Sequence, residues 1–153
     1  MQKIQPRAER GGPVSVAERA TSTDPIEFQK ARARAHRAAV AKFSKNVDSL
    51  VHLLGAQLVA YIADVSETRS VRQWISGEHT PHSGVQRRVL LALQIASFLN
   101  EEGEEGAIEA WFQGLNPALD DHAPAELLRT TADDNFSKMG RQVLAAAREF
   151  VNK

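Results

Sequence analysis

The chain has 153 residues, of which 42% are hydrophobic and 25% are charged, and it contains no cysteine. This length suits one ordinary domain or two small ones that share a core. Without cysteine, a disulfide scaffold and a cysteine-ligated zinc or iron–sulfur site are both excluded. No apolar stretch approaches the roughly 18 residues of a membrane span, and the N-terminal residues lack the apolar centre of a secretory signal. A cytoplasmic protein is therefore expected.

The net charge is zero, but the charges are segregated along the chain. Residues 1–99 carry 14 Lys and Arg against 8 Asp and Glu, whereas residues 100–153 carry 5 against 11. Such asymmetry predicts two different partners, with a polyanion as the partner of the first half. A chance fluctuation on a solvated surface explains the charge pattern equally well.

The first predicted helix begins at Asp24-Pro25, an N-cap residue followed by proline at the first helical position. Residues 1–23 show no hydrophobic period and are expected to form a flexible tail. The apolar face of this helix is formed by Phe28, Ala31, Ala35, Ala39 and Phe43. Its basic face is formed by Lys30, Arg34 and Arg37. The basic face is interpreted as solvated in preference to a phosphate-binding surface.

Three further helices follow from apolar spacing. The second carries Leu50, Leu54, Leu58 and Ile62, which are spaced four residues apart. After a polar break at 64–68, a third helix contains Val71 and Trp74 and ends at Gly77. A long helix from Ser83 to about Leu99 is apolar on two sides and is predicted to be the buried centre of the fold.

The last third of the chain reads as short helices and turns. An acidic loop at 101–106 precedes a short helix at 107–113, and Asn116-Pro117 opens a turn. Pro124 opens another short helix, and a final helix is predicted from Asp133 to Val151. Gly140 is unfavourable in that helix, so close packing there is expected. No strand alternation is present, and the predicted fold class is all-α.

Catalysis has little support in the sequence. The chain contains no phosphate-binding glycine motif, GxSxG elbow or HExxH motif. His79, His82 and His122 are interpreted as exposed loop histidines, because no set of three ligands falls on one helix face. The chain is therefore not expected to be an enzyme or to hold a metal.

The segment Leu58–Gly77 has the pattern of a helix-turn-helix: an apolar helix, a polar turn, and a second helix anchored by Val71 and Trp74. Arginine reads guanine edges, glutamine reads adenine edges, and hydroxyls reach phosphates or bases. The predicted DNA-binding residues are Ser66, Thr68, Arg69, Ser70, Arg72 and Gln73. An ordinary helical hairpin with a solvated polar face fits this pattern about equally well.

The segment resembles the Cro/Xre-type helix-turn-helix, specifically that of the Xre/MbcA/ParS-type antitoxins. The resemblance covers Val47 to the end of the chain. It continues through Trp111, the sequence LNPAL at 115–119, PAELL at 124–128, and VLAAAREF at 143–150. These downstream segments look like the part of the family that binds the toxin.

The resemblance implies an antitoxin of a type II toxin–antitoxin system. Its family partners are RES-domain toxins, which are similar to ADP-ribosyl-transfer enzymes and consume NAD⁺. In this family the C-terminal region covers the toxin's active site and the helix-turn-helix represses the shared operon, so the resemblance implies both activities here. NAD⁺ would belong to the partner, so no cofactor is expected here. The implied toxin-binding residues are Trp111, Leu115, Asn116, Pro117, Leu119, Arg148, Phe150 and Lys153.

The predicted organisation is a tail at 1–23, a basic helix and helix-turn-helix domain at 24–100, and a toxin-binding helical domain at 101–153. A homodimer or a hetero-oligomer with toxin is expected, because dimers suit palindromic operators. Trp111 fits the closing of the core under the last helix better than an interface anchor. Two other hypotheses stay open: a stand-alone regulator whose C-terminal half dimerises, and a toxin-binding protein with a vestigial helix-turn-helix.

Overall fold

The computed structural model describes residues 24–153, and the predicted tail at 1–23 lies outside this range. The predicted all-α class is confirmed: residues 24–153 form seven α-helices and no extended strand. The helices are α1 (Pro25–Leu54), α2 (Ala56–Ala63), α3 (Thr68–Ser76), α4 (Ser83–Glu101), α5 (Ile108–Gln113), α6 (Pro124–Thr130) and α7 (Phe136–Val151). Two short 3-10 turns occur at Pro117–Leu119 and Asp133–Asn135. The chain divides into two units, one ending at Ala38 and the other spanning Ala39–Lys153.

Helix α1 is longer than the sequence predicted. It begins as expected, because the Asp24 carboxylate Oδ1 accepts the Ile26 backbone N–H at 2.9 Å. The prediction of a separate second helix carrying Leu50 and Leu54 is wrong, since both residues belong to α1. No glycine or proline occurs between Pro25 and Gly55. Gly55 has a φ of 84°, which other residues rarely adopt, and it ends α1.

Helix α4 is the centre of the core in the unit Ala39–Lys153. It packs against α2, α5, α6 and α7, as its two apolar sides predicted. One stripe is buried throughout, whereas Leu91 and Phe98 of the other stripe are only half-buried. The buried stripe is Val85, Val89, Ala92, Ala96 and Leu99.

Helix α7 closes the core against α4, and the predicted close packing at Gly140 is confirmed. A Cβ built on Gly140 would lie 3.3 Å from the Leu91 Cδ2 atom. The predicted start at Asp133 is early, because a 3-10 turn precedes the α-helix. The Arg87 guanidinium pairs with the Asp133 carboxylate at 2.7 Å and lies 5.1 Å from the centre of the Phe136 ring. These contacts attach the start of α7 to α4.

Two candidate binding surfaces

Helices α2 and α3, which are joined by a turn at 64–67, occupy the segment that was predicted to be a helix-turn-helix. Asp64 ends α2 in the left-handed conformation with φ 61°, and Gly77 ends α3 with φ 79°. The predicted inward anchors are confirmed, since Val71 and Trp74 are 0% and 5% exposed. The Ser44 hydroxyl donates to the Trp74 carbonyl at 2.7 Å. Helix α3 is therefore fixed by its buried face, and its opposite face is presented to solvent.

The exposed side of this motif forms a groove of about 620 Å³. Four of the six predicted DNA-binding residues line it: Ser66, Thr68, Arg69 and Arg72. Ser70 and Gln73 are half-buried elsewhere on α3. Both arginines are exposed, and the Arg72 Nη1 donates to the Thr68 hydroxyl at 3.0 Å. Glu67 also lines the groove, so a carboxylate lies among its cationic groups.

Arg129 of α6 is a residue of this groove that sequence reasoning missed. Its Nη1 donates to the Tyr61 carbonyl at 2.9 Å, and its Nη2 lies 2.9 Å from the Asp64 Oδ1. The guanidinium also lies 4.4 Å from the centre of the Tyr61 ring. Together with Arg88, whose Nη1 donates to the Ala63 carbonyl at 3.1 Å, it satisfies carbonyls at the end of α2. Nothing in the local sequence identifies a contact that spans 68 residues.

The second surface is organised by the turn that Asn116-Pro117 opens. The Asn116 side-chain Oδ1 accepts the Ala118 backbone N–H at 2.9 Å, which caps the 3-10 turn. The Asn116 backbone N–H donates to the His122 carbonyl at 3.2 Å and closes the loop. Asp120 and Asp121 adopt left-handed φ values of 55° and 62°. The loop is therefore held by its own hydrogen bonds at both ends.

A cavity of about 170 Å³ lies between this turn and α7. It collects five of the eight residues that the family resemblance implied for toxin binding: Trp111, Asn116, Pro117, Phe150 and Lys153. The structure does not bring the other three to the cavity. Leu115 is 75% exposed, Leu119 is buried, and Arg148 is exposed on α7.

Trp111 is a core residue at the wall of this cavity. It is 8% exposed and contacts Phe112 edge-on, with ring centres 5.3 Å apart, and the Phe150 ring centre is 6.4 Å away. Its indole Nε1 is buried without a hydrogen-bond partner among residues 24–153. Buried indole N–H groups usually have a partner. Trp111 thus closes the core under α7 and offers only a small surface to another molecule.

Two of the three predicted loop histidines, His82 and His122, have local structural contacts. The His82 Nδ1 accepts the Gly84 N–H at 3.1 Å and caps α4, and the His122 Nδ1 lies 3.4 Å from the Glu126 carboxylate. Within the described range, no group of three His, Asp or Glu side chains is arranged to hold a metal ion. None of the helices of residues 24–153 is long and apolar enough to cross a membrane.

No protein-family model and no curated protein matches the chain. Its structure is similar to a chain in the crystal structure of the M. tuberculosis MbcT-MbcA toxin-antitoxin complex, at 25% sequence identity and a TM-score of 0.53. The match covers 69% of this chain and 94% of that chain. The resemblance to an MbcA-like antitoxin is confirmed. This likeness supports an antitoxin role for the chain.

Proposed function

We propose that the chain is the antitoxin of a type II toxin–antitoxin system. It neutralises a RES-domain, NAD⁺-consuming toxin by covering the toxin's active site, and it represses its own operon through α3. The observation that carries this proposal is the structural likeness, which extends over 94% of a chain from a toxin–antitoxin complex. The protein acts by binding and performs no catalysis of its own.

The toxin-binding surface is proposed to be the cavity beside Asn116 together with the neighbouring Leu115. A leucine that is 75% exposed is an apolar group available to a partner. Burying this side chain against a partner removes apolar surface from water, which favours association. Residues 100–153 carry a net charge of −6, which complements a cationic cleft that binds phosphate groups. Lys153 is proposed to lie at the mouth of that cleft.

The DNA-binding surface is proposed to be the groove side of α3. Arg69 and Arg72 are exposed in its first two turns, where a recognition helix contacts base edges. Ser66 and Thr68 line the same groove and complete this surface, whereas Ser70 and Gln73 lie outside it. Two copies would present two such helices to a palindromic operator.

Toxin binding is tested by co-expression with the gene adjacent to this one. The antitoxin should protect cells from the product of that gene and co-purify with it. Leu115→Ser should abolish both effects, whereas the control Leu90→Ser, on the 44%-exposed Leu90 of α4, should leave both intact. Thermal unfolding of each variant verifies that the fold is retained. Co-purification of the Leu115→Ser protein at the wild-type level contradicts the proposed surface.

The alternatives give different results in the same experiments. A stand-alone regulator binds operator DNA but neither protects cells nor co-purifies with a neighbour. A toxin-binding protein with a vestigial helix-turn-helix protects cells, and its operator binding is undetectable in the wild type and in Arg69→Gln alike. Repression through α3 requires that Arg69→Gln and Arg72→Gln each weaken operator binding and relax the base preference.

A further inference from the structure

The first unit contains a cationic helical segment that the proposed function does not use. The cationic segment is defined here as residues 29–38, within α1. It contains one lysine and three arginines, and no acidic residue occurs anywhere between Phe28 and Val47. All ten of its side chains are exposed. The basic residues are Lys30, Arg32, Arg34 and Arg37.

Few carboxylates among residues 24–153 compensate the charges of the cationic segment. Lys30 lies 3.7 Å from the Glu27 carboxylate. No carboxylate of residues 24–153 lies within 4.0 Å of the guanidinium groups of the three arginines, and the Arg32 guanidinium contacts only a ring, 6.0 Å from the Phe28 centre. Four neighbouring cations on a short stretch of helix repel one another. Their clustering therefore lowers the stability of the helix. An anionic ligand explains this clustering more easily than a structural role does.

The composition favours a chain of phosphate groups, such as a nucleic-acid backbone, over a lipid surface as the ligand. A membrane-surface helix places large apolar side chains opposite its lysines and arginines, but alanine is the only apolar residue type in the cationic segment. Lys30, Arg34 and Arg37 follow the helical spacing of one face, while Arg32 lies on another side. Arginine binds phosphate oxygens in a bidentate manner, and the intervening alanines allow close approach.

We propose that the cationic segment binds the phosphate backbone of duplex DNA without sequence preference. The sequence pattern alone favoured a solvated face. The complete exposure of the segment and the absence of carboxylate partners for its arginines among residues 24–153 favour a ligand. As far as it concerns the operator, this inference rests on the proposed function. Contacts to the phosphate backbone carry no sequence information, so this segment does not contribute to base discrimination.

The test compares Arg34→Gln/Arg37→Gln with Lys138→Gln/Arg141→Gln. Both double variants lose two positive charges from exposed helical positions, and glutamine preserves helix propensity. The probes are a duplex from the region upstream of the gene and a scrambled duplex of the same composition, titrated between 50 and 200 mM salt. Two phosphate contacts change the slope of log K against log salt by about 1.8. Over this fourfold salt range, the wild-type affinity should fall about twelvefold more than that of the Arg34/Arg37 variant.

The proposal requires that this reduced slope appears with both duplexes in the Arg34/Arg37 variant and not in the Lys138/Arg141 variant. Equal losses in both variants indicate a net-charge effect and overturn the proposal, as does an unchanged slope. Binding of the wild type to vesicles containing phosphatidylserine but to neither duplex overturns it in favour of a lipid surface. If the wild type shows no preference for the upstream duplex, yet binding depends on Arg34 and Arg37, repression through α3 fails while this inference holds.

Discussion

Arg129 attaches α6, which follows the proposed toxin-binding turn, to the end of α2, which precedes the proposed recognition helix. Replacing it with glutamine removes its charge, its hydrogen bond to the Tyr61 carbonyl and its pairing with Asp64. Glutamine has nearly the same helix propensity as arginine, so α6 itself should persist. The expected effect is therefore on the junction between these helices.

The magnitude follows from the exposure of the groups involved. The Asp64 side chain is 54% exposed, so the ion pair contributes about 0.2–1 kcal/mol. The contact with the Tyr61 ring, also at a partly exposed site, contributes about 0.5–1 kcal/mol. Arg129→Gln should therefore lower the free energy of unfolding by about 1–2 kcal/mol, or Tm by about 2–8 °C.

Urea and thermal unfolding measure this change. Arg141→Gln is the matched control, because Arg141 is exposed and has no ion pair within the described residues. A double-mutant cycle with Asp64→Asn should give a coupling energy of about 0.5–1 kcal/mol. If Arg129→Gln is as stable as Arg141→Gln, or the coupling energy is zero, the assigned role is refuted.

DNA binding provides a second measurement for Arg129. If Arg129 positions the turn before α3, Arg129→Gln weakens operator binding but leaves its salt dependence unchanged. A phosphate contact by Arg129 would instead reduce the slope by about 0.9.

Three further changes test the turns and the packing. Gly77→Ala should cost about 1–2 kcal/mol of unfolding free energy, because the left-handed φ is strained for alanine. The cost does not come from a clash, since no atom lies closer than 3.7 Å to the new Cβ. The control Gly106→Ala, at an open position without a positive φ, should be near neutral. Asn116→Ala should cost about 1 kcal/mol in urea unfolding through loss of the turn cap, and an unchanged midpoint would argue against that role. Gly140→Val should destabilise by about 1–3 kcal/mol through overpacking against Leu91; wild-type stability would show that α4 and α7 can separate without cost.

Local sequence signals were sufficient for most helix ends. Asp24-Pro25, Gly77 and Pro124 act through the conformation of the backbone around them, so their effect can be read without knowing the rest of the fold. The prediction of where the first helix ends and the second begins was wrong for a related reason. Leu50 and Leu54 have the same spacing as Leu58, and hydrophobic period alone does not reveal that Gly55 adopts a positive φ.

The candidate sites were only partly accessible to the sequence. Trp111, Asn116 and Pro117 were identified through the family resemblance, and the structure places them around one cavity. Leu115 and Leu119, in contrast, look equivalent in the sequence, yet one is exposed and the other buried. Which side of a short turn faces the core depends on what packs against it.

The order of the helices, most of their ends and the anchoring of α3 by Val71 and Trp74 follow from the amino-acid sequence, because residue type and helical period act over a few residues. Only the tertiary structure decided that Arg129 reaches the end of α2 and that Phe150 and Lys153 line the same cavity as Asn116. Those contacts join residues that are far apart in the chain, and they form when the apolar faces of α2, α4, α6 and α7 pack together. Local signals encode the elements, whereas the packing of the core determines which polar side chains become neighbours.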